Sequence, residues 1–316
     1  MKRLVLITLI LSLFLCGCTA DTSTTTAQPY YSFTDSTGVG VTLKTKPQKV
    51  AVLFSSYVDI WNMAGGEVSV TVGESVERGF VPDDTYLVDS GAGKTIDCER
   101  LLAAMPDFVI ASADIAAQAE LKESLANSGI PVALFRVDTF DQYLSMLKIC
   151  TEITENDTAY TRYGTELQER INTIKNLTAQ QSGNAKEILF IRAGSKFSST
   201  KAKCAPENFV CIMLNELGAK NIAEDAPILL DDLSVEEIIL RDPDYIFLTS
   251  MGSEEASKSY IQSLFEEDGW RELSAVKNKN YTFLEKELFH FKPNARWDEA
   301  YAILADLLYP ELSIVE

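Results

Sequence analysis

The chain is 316 residues long, 46% hydrophobic and 23% charged, the composition of a globular protein rather than a disordered or fibrous one. Lys and Arg number 28 against 46 Asp and Glu, so the formal charge is −18; a phosphate backbone would repel such a chain, and no nucleic-acid partner is expected. A single histidine, His290, rules out most zinc chemistry and argues against a His-dependent catalytic triad.

Residues 1–18 read MKRLVLITLILSLFLCGC. Lys2 and Arg3 form a positive start, and the apolar run Leu4 to Leu15 falls short of the roughly 20 residues of a membrane span. Leu15-Cys16-Gly17-Cys18 resembles a bacterial lipobox. Residues 1–17 are therefore expected to be a signal peptide, with Cys18 lipidated and the chain held to the outer face of the cytoplasmic membrane. A plain secretory signal and an N-terminal membrane anchor are the alternatives. Residues 18–30 are Thr-rich and polar and read as a flexible tether. Export permits disulfides, and Cys204 and Cys211 flank Pro206 closely enough for a local bridge. Cys98 and Cys150 sit in apolar helical patterns and read as core.

Tyr31 to Leu43 alternates around Asp35-Ser36-Thr37-Gly38 and reads as a β-hairpin. Val50 to Phe54 is a continuous apolar run, as expected of a parallel strand buried on both faces, and a helix follows as far as Gly65-Gly66. Val68 to Val72 is a short strand, and 74–95 is polar and Gly-containing, mostly loop. Helices are expected at Asp97–Met105, Ala116–Asn127 and Phe140–Thr154, with strands at Phe108–Ala111 and Val132–Val137. Apolar residues from Tyr160 to Leu177 recur at three and four, so Asp157–Leu177 reads as one helix about 30 Å long. A second α/β unit starts at Ile188, with helices at Phe209–Leu217, Val235–Leu240 and Ala295–Leu308 and strands at Tyr245–Leu248 and Tyr281–Leu284. The expected architecture is α/β. Two Rossmann-like lobes with parallel-rich sheets, 31–155 and 185–316, are joined by one long helix, 156–179, with a ligand cleft between them.

Two stretches repeat one pattern. Asp97-Cys98-Glu99 leads through an apolar helix to Pro106-Asp107 and an aromatic-led strand. Ser234-Val235-Glu236 leads in the same way to Pro243-Asp244, and Ser234-x-x-Glu237 has the form of a capping box. The repeat gives each half one glutamate in the first turn of a helix, where the macrodipole favours it. With these motifs, and with the opening FTDSTGVGVTLKTKPQKVAVL, the chain from Tyr31 to Pro310 resembles the substrate-binding proteins of ABC importers. The resemblance is to the class whose lobes are joined by a single long helix and whose cargo is a ferric siderophore, haem or cobalamin. It implies a non-enzymatic, monomeric receptor outside the cell that has no cofactor of its own. Glu99 and Glu236 would dock the two lobes onto a membrane permease dimer. Both would otherwise serve only their helix N-termini.

Ligands of parallel α/β sheets bind beyond the carboxyl ends of the strands. That rule nominates Ser55, Ser56, Tyr57, Arg78, Phe80, Tyr86 and Lys94 in the first half. In the second half it nominates Arg192, Lys196, Phe289, His290, Phe291, Lys292, Arg296 and Trp297. These ends are basic and aromatic in an acidic chain, which suits a flat anionic metal chelate. Arg192 is the leading candidate, because ferric catecholate receptors of the resembling family place arginine after the matching strand. His290 either touches the ligand or is a structural, hydrogen-bonded residue between two phenylalanines. One histidine cannot hold free zinc or manganese, so no metal site is expected. The run VDSGAGKT at 88–95 lacks the first glycine of a phosphate-binding loop. No G-x-S-x-G supports an exported hydrolase. A surface adhesion protein on the same fold is the remaining alternative.

Overall fold

The computed structural model describes residues 28–89, 95–181, 183, 185–231 and 233–314. The expected signal peptide, Cys18, most of the tether and Lys94 lie outside them. Five parallel strands form the first sheet: β3 (Val50–Val52), β4 (Val70–Thr71), β5 (Tyr86–Leu87), β6 (Phe108–Ser112) and β7 (Val132–Phe135), in the order β5-β4-β3-β6-β7. The second sheet has the parallel order β10-β8-β11-β12 from β8 (Glu187–Ala193), β10 (Lys220–Asn221), β11 (Tyr245–Ser250) and β12 (Tyr281–Phe283). A two-residue β9 (Lys201–Ala202) pairs antiparallel to β8. Every residue of β6 and β7 is buried, as the unbroken apolar runs require of strands covered on both faces.

The hairpin of β1 (Tyr31–Thr34) and β2 (Gly40–Leu43) is a separate two-stranded unit hung on the edge strand β7. Asp35 makes that attachment. Its carboxylate accepts hydrogen bonds from the Thr37, Val39 and Leu134 amides and from Lys122 Nζ at 2.7 Å. Burial alone would raise its pKa. The Lys122, Thr37, Val39 and Leu134 donors outweigh that and hold the carboxyl below the usual range.

The Pro-Asp repeat has a structural meaning in the sheets. Met105 and Asp242 close the two matching helices in the left-handed region, with φ of 50° and 40°. Asp107 then accepts from the Gln48 and Lys49 amides while its own N–H bonds Lys49 O, at the entry to β3. Asp244 does the same for Glu187, the first residue of β8. Each Asp therefore sets the register between a strand and its parallel neighbour, besides following a helix stop.

The connection between the lobes is not one regular α-helix. It runs as α-helix Asp157–Tyr160, a π-helical turn Thr161–Thr165, and α-helix Glu166–Ala179. Gly164 is buried there, and a Cβ on it would lie 3.2 Å from Leu144 Cδ2. The close approach to the Phe140–Thr154 helix is matched by Tyr143, whose hydroxyl donates to Tyr163 O at 2.9 Å. Two elements differ further from expectation. The 74–95 segment includes a short helix, Gly73–Glu77, and the edge strand β5, too brief to show alternation. A 13-residue helix, Glu254–Glu266, is absent from the sequence-based elements; its buried stripe of Ser257, Ile261, Leu264 and Phe265 is broken by serines.

The Cys204–Cys211 bridge is not formed, and both residues are free thiols. Cys211 lies in the Phe209–Glu216 helix and directs its Sγ to Lys203 O at 3.4 Å, and Cys204 Sγ faces Glu207 at 3.8 Å. Each buried thiol thus has its own acceptor.

Replacing Asp35 with alanine should cost about 3 kcal/mol in denaturant unfolding, because it leaves buried donors and the Lys122 ammonium unpaired. A depressed folded-state pKa stabilises above the unfolded value near 3.9 and is lost as pH falls through the folded value. Acid unfolding of the variant should accordingly be shallower below pH 4 than that of the wild type.

Candidate functional site

The carboxyl ends of the two sheets face each other, because contacts between the lobes come from loops that follow parallel strands. Arg78, after β4, reaches the segment after β12, where Glu287 lies in the short helix Lys286–Phe289. Its Nη2 lies 3.4 Å from Glu287 Oε2, and its guanidinium lies 4.0 Å from the centroid of Phe291. On its own side it lies 4.5 Å from the Phe80 ring, and its Nη1 donates to Ser55 and Ser56 Oγ at 3.3 and 3.2 Å. The side chain is only 9% exposed, and Nε has no partner among the described residues. Deeper in, Lys292 Nζ bonds Asp138 Oδ1 at 2.8 Å and stacks over Phe209. At the base, Asn294 Nδ2 donates to Ser56 O and Asp59 Oδ2, both at 2.8 Å.

Between these contacts lies a cavity of about 140 Å³ whose lining includes Arg192, His290, Lys292 and Thr249 together with the carboxylates of Asp138 and Glu207. Arg192 belongs to the last part of β8, whose neighbour in β11 is Thr249. It is half-buried, and no ion pair is formed to it among the described residues. Burial lowers its pKa, the mark of a cation removed from water without a counter-ion. His290 stands beside it. Burial, then the positive fields of Arg192, Lys286 and Arg78, push the imidazole down to about 4, and Glu287 opposes only weakly. His290 is thus a neutral imidazole at physiological pH, set edge-on to Phe291 at 5.2 Å.

The structure brings Arg78, Arg192, His290 and Lys292 to this cleft, and Ser56 lies buried beneath Arg78, its Oγ accepting from Nη1. It corrects other expectations. Tyr57 is 1% exposed and donates its hydroxyl to Phe135 O at 3.0 Å; the helix begins at Ser55, which turns the third residue into the core. Phe289 is equally buried and borders the cavity as core, and Trp297 is wholly internal. Arg296 is exposed and held by both oxygens of Glu299, at 2.6 and 2.7 Å. Lys196 is exposed beside the exposed Phe197. Lys286, Glu287, Asp138, Thr249 and Asn294 were not singled out from the sequence. The strand-end rule reaches Asp138 and Thr249 once the ends of β7 and β11 are known. Nothing local marks Glu287 or Asn294, whose partners are about 200 residues away in the chain.

Glu99 and Glu236 are both exposed in the first turn of their helices, Cys98–Ala103 and Val235–Arg241. Asp97 and Ser234 cap those helices. The capping box at Ser234 is half-made, since Glu237 turns to Arg241 at 2.9 Å instead. Neither Glu99 nor Glu236 forms a salt bridge among the described residues. Those residues contain no group of three or more His, Cys, Asp and Glu arranged to hold a metal, and no helix long and apolar enough to cross a membrane.

A family model described as periplasmic binding protein matches residues 50–288. The vitamin B12-binding protein of Pectobacterium carotovorum subsp. carotovorum (strain PC1) is 26% identical over 205 residues, 64% of this chain and 71% of that protein. The high-affinity heme uptake system protein IsdE of Staphylococcus aureus (strain MRSA252) is 24% identical over 179 residues, 54% of this chain and 59% of that one. The crystal structure of Staphylococcus aureus SirA complexed with staphyloferrin B superposes with a TM-score of 0.64 at 18% identity, covering 89% of this chain and 98% of SirA.

In an NMR titration the His290 imidazole should stay unprotonated at pH 6 and protonate near pH 4. A histidine with a lowered folded pKa stabilises above the unfolded value near 6.5 and loses that contribution as pH falls towards 4. His290→Gln should flatten the stability profile between those limits.

Proposed function

The chain belongs to the periplasmic binding protein family, and from that premise we propose that it is the receptor of an ABC importer, capturing a metal chelate and delivering it to a membrane permease. The family binds solutes and is not enzymatic. The cargo that best suits the cleft is an anionic ferric siderophore. One observation carries this: Arg192 sits half-buried in the cleft cavity with no counter-ion among the described residues, inside a chain of formal charge −18. A desolvated guanidinium in an acidic protein is costly unless an incoming anion completes it, and it presents two parallel donors to a carboxylate or catecholate. Phe291, Phe80 and the surrounding cations add flat apolar surface and positive charge.

Haem or a corrinoid is the second reading. Its support is the sequence likeness to the B12-binding protein and IsdE, and an uncharged imidazole at the cavity wall. Glu99 and Glu236 offer the permease one exposed carboxylate from each lobe, at matched helix starts. The lipobox-like Leu15 to Cys18 would place the receptor beside that permease through a lipidated Cys18.

A thermal-shift panel of ferric catecholate and hydroxamate siderophores, ferric citrate, cobalamin and haemin tests the cargo. A ligand at 100 times its dissociation constant stabilises by about 2.7 kcal/mol. Arg192→Met should lower affinity for the anionic chelate at least about tenfold. The same change should raise the ligand-free melting temperature by about 2 °C, since an unpaired buried charge is removed. A shift with cobalamin alone would replace the siderophore reading.

The Glu99→Ala/Glu236→Ala double variant should bind its ligand unchanged and fail to support uptake by cells. Full uptake with the double variant would refute permease docking at these residues.

A further inference from the structure

A chelate needs far more room than the cleft offers. Small-molecule sites are typically about 300–1,000 Å³, and the cavity at Arg192 is about 140 Å³. The contacts between the lobes are graded in a way that shows where the space opens. At the base they are buried, with Trp297 packed against Phe140 and Tyr143 of one lobe and Phe209 of the other, and with the Asn294 amide bonded across the lobes. At the mouth they are polar and partly wet, and Glu287 is 54% exposed.

The mouth contact has the composition of a ligand complex. The Arg78 guanidinium lies against the rings of both Phe80 and Phe291 and is faced by the carboxylate of Glu287. Two of those three groups come from the opposite lobe. They flank Leu288 and Phe289, which are anchored in the core, so the backbone that carries Glu287 and Phe291 cannot shift without the lobe itself moving. The bond is loose at 3.4 Å, and Arg78 Nε has no acceptor among the described residues. A guanidinium nine-tenths buried with long, incomplete hydrogen bonds is a poor permanent ion pair and a good exchangeable one.

We propose that Glu287 and Phe291 form a clasp on Arg78 that holds the unliganded cleft shut, Glu287 standing in for the anionic group of the cargo, and that the cargo enters by replacing it. The clasp presupposes that the cleft is the ligand site. Release at the mouth lets the lobes part about the Trp297 base, and the freed Arg78 joins Arg192 in binding the anion. Glu287 is then a competitor that sets how strongly negative a cargo must be to enter.

Phenylglyoxal modification of the folded mature chain, mapped by peptide mass spectrometry, reads the clasp without any ligand. Arg78 in the wild type should react at least tenfold more slowly than the exposed Arg162, which has no ion pair among the described residues. In Glu287→Gln/Phe291→Ala it should react within about threefold of Arg162. Wild-type Arg78 reacting as fast as Arg162, or an unchanged rate in a folded variant, overturns the clasp. Should the double variant fail to fold, Glu287→Gln alone, with nearly the same shape, serves with an expected acceleration of at least threefold. In parallel, ferric catecholate, ferric citrate, cobalamin and haemin are titrated into wild type and Glu287→Gln. The variant should bind the anionic chelate at least threefold more tightly, and equal or weaker binding overturns the stand-in role. If no probe binds either protein, the cargo reading falls, while the modification rates still decide the clasp.

Discussion

The structure depends on one indole. Trp297, wholly buried at the start of the Trp297–Leu308 helix, touches Phe140 and Tyr143 from the first lobe and Phe209 from the second. Around it the two lobes share a single hydrophobic cluster. Alternation along the strands explains how. In β3, Val50 and Val52 face the shared core while Ala51 faces a cluster private to the first lobe. In β8, Ile188 and Phe190 face the shared core while Leu189 and Ile191 face the private cluster of the second lobe. Each sheet thus gives one face to its own covering helices and the other to a layer that belongs to both lobes. Separating the lobes at that layer would expose several large aromatic side chains, at about 1.5–3 kcal/mol each. The base of the cleft is therefore fixed, and any opening is confined to the mouth.

The fixed base also explains the strain gathered there. Asn294 is wholly buried with φ of +50°, its Oδ1 lacks a partner, and so does Trp297 Nε1. Asp59, which accepts from Asn294, has a pKa raised by burial despite the opposing Asn294 and Arg78. These are unfavourable features taken singly. Together they place a side-chain amide from the second lobe across the first turn of the Ser55–Met63 helix, below the serines that meet Arg78. The polar contacts of the base thus position the residues of the mouth.

Much of this fold could be read from the chain because its signals are local. Unbroken apolar runs mark buried parallel strands, and the Asp97 and Ser234 repeat marks two equivalent helix-strand turns. What stayed hidden depends on partners distant in sequence. The π-helical turn at Thr161–Thr165 arises because Gly164 and Tyr163 meet the Phe140–Thr154 helix, which no periodicity at 160–177 can announce. The site divides in the same way. Strand ends nominate Arg78, Arg192, His290 and Lys292, and the structure brings these four together where the lobes meet, because that rule follows from topology. It fails at Tyr57 and Arg296, where a helix start one or two residues away decides whether a side chain faces the cleft, the core or a neighbouring glutamate.

The electrostatics of the cleft separate two kinds of positive group. A histidine would be a natural anion contact, but His290 is denied its charge by burial and by Arg192, Lys286 and Arg78 around it. The guanidiniums keep theirs, since arginine does not deprotonate in proteins. Positive charge in the cleft is therefore carried by groups that do not titrate near neutrality, and the imidazole contributes a lone pair and a flat face. Lys292 is committed to Asp138, and Arg78 is faced by Glu287. That leaves Arg192 as the cation at the cavity wall without a carboxylate of its own among the described residues. An acidic chain gathers these cations where its strands end and faces Lys292 and Arg78 with its own carboxylates, while Arg192 has no such partner among the described residues.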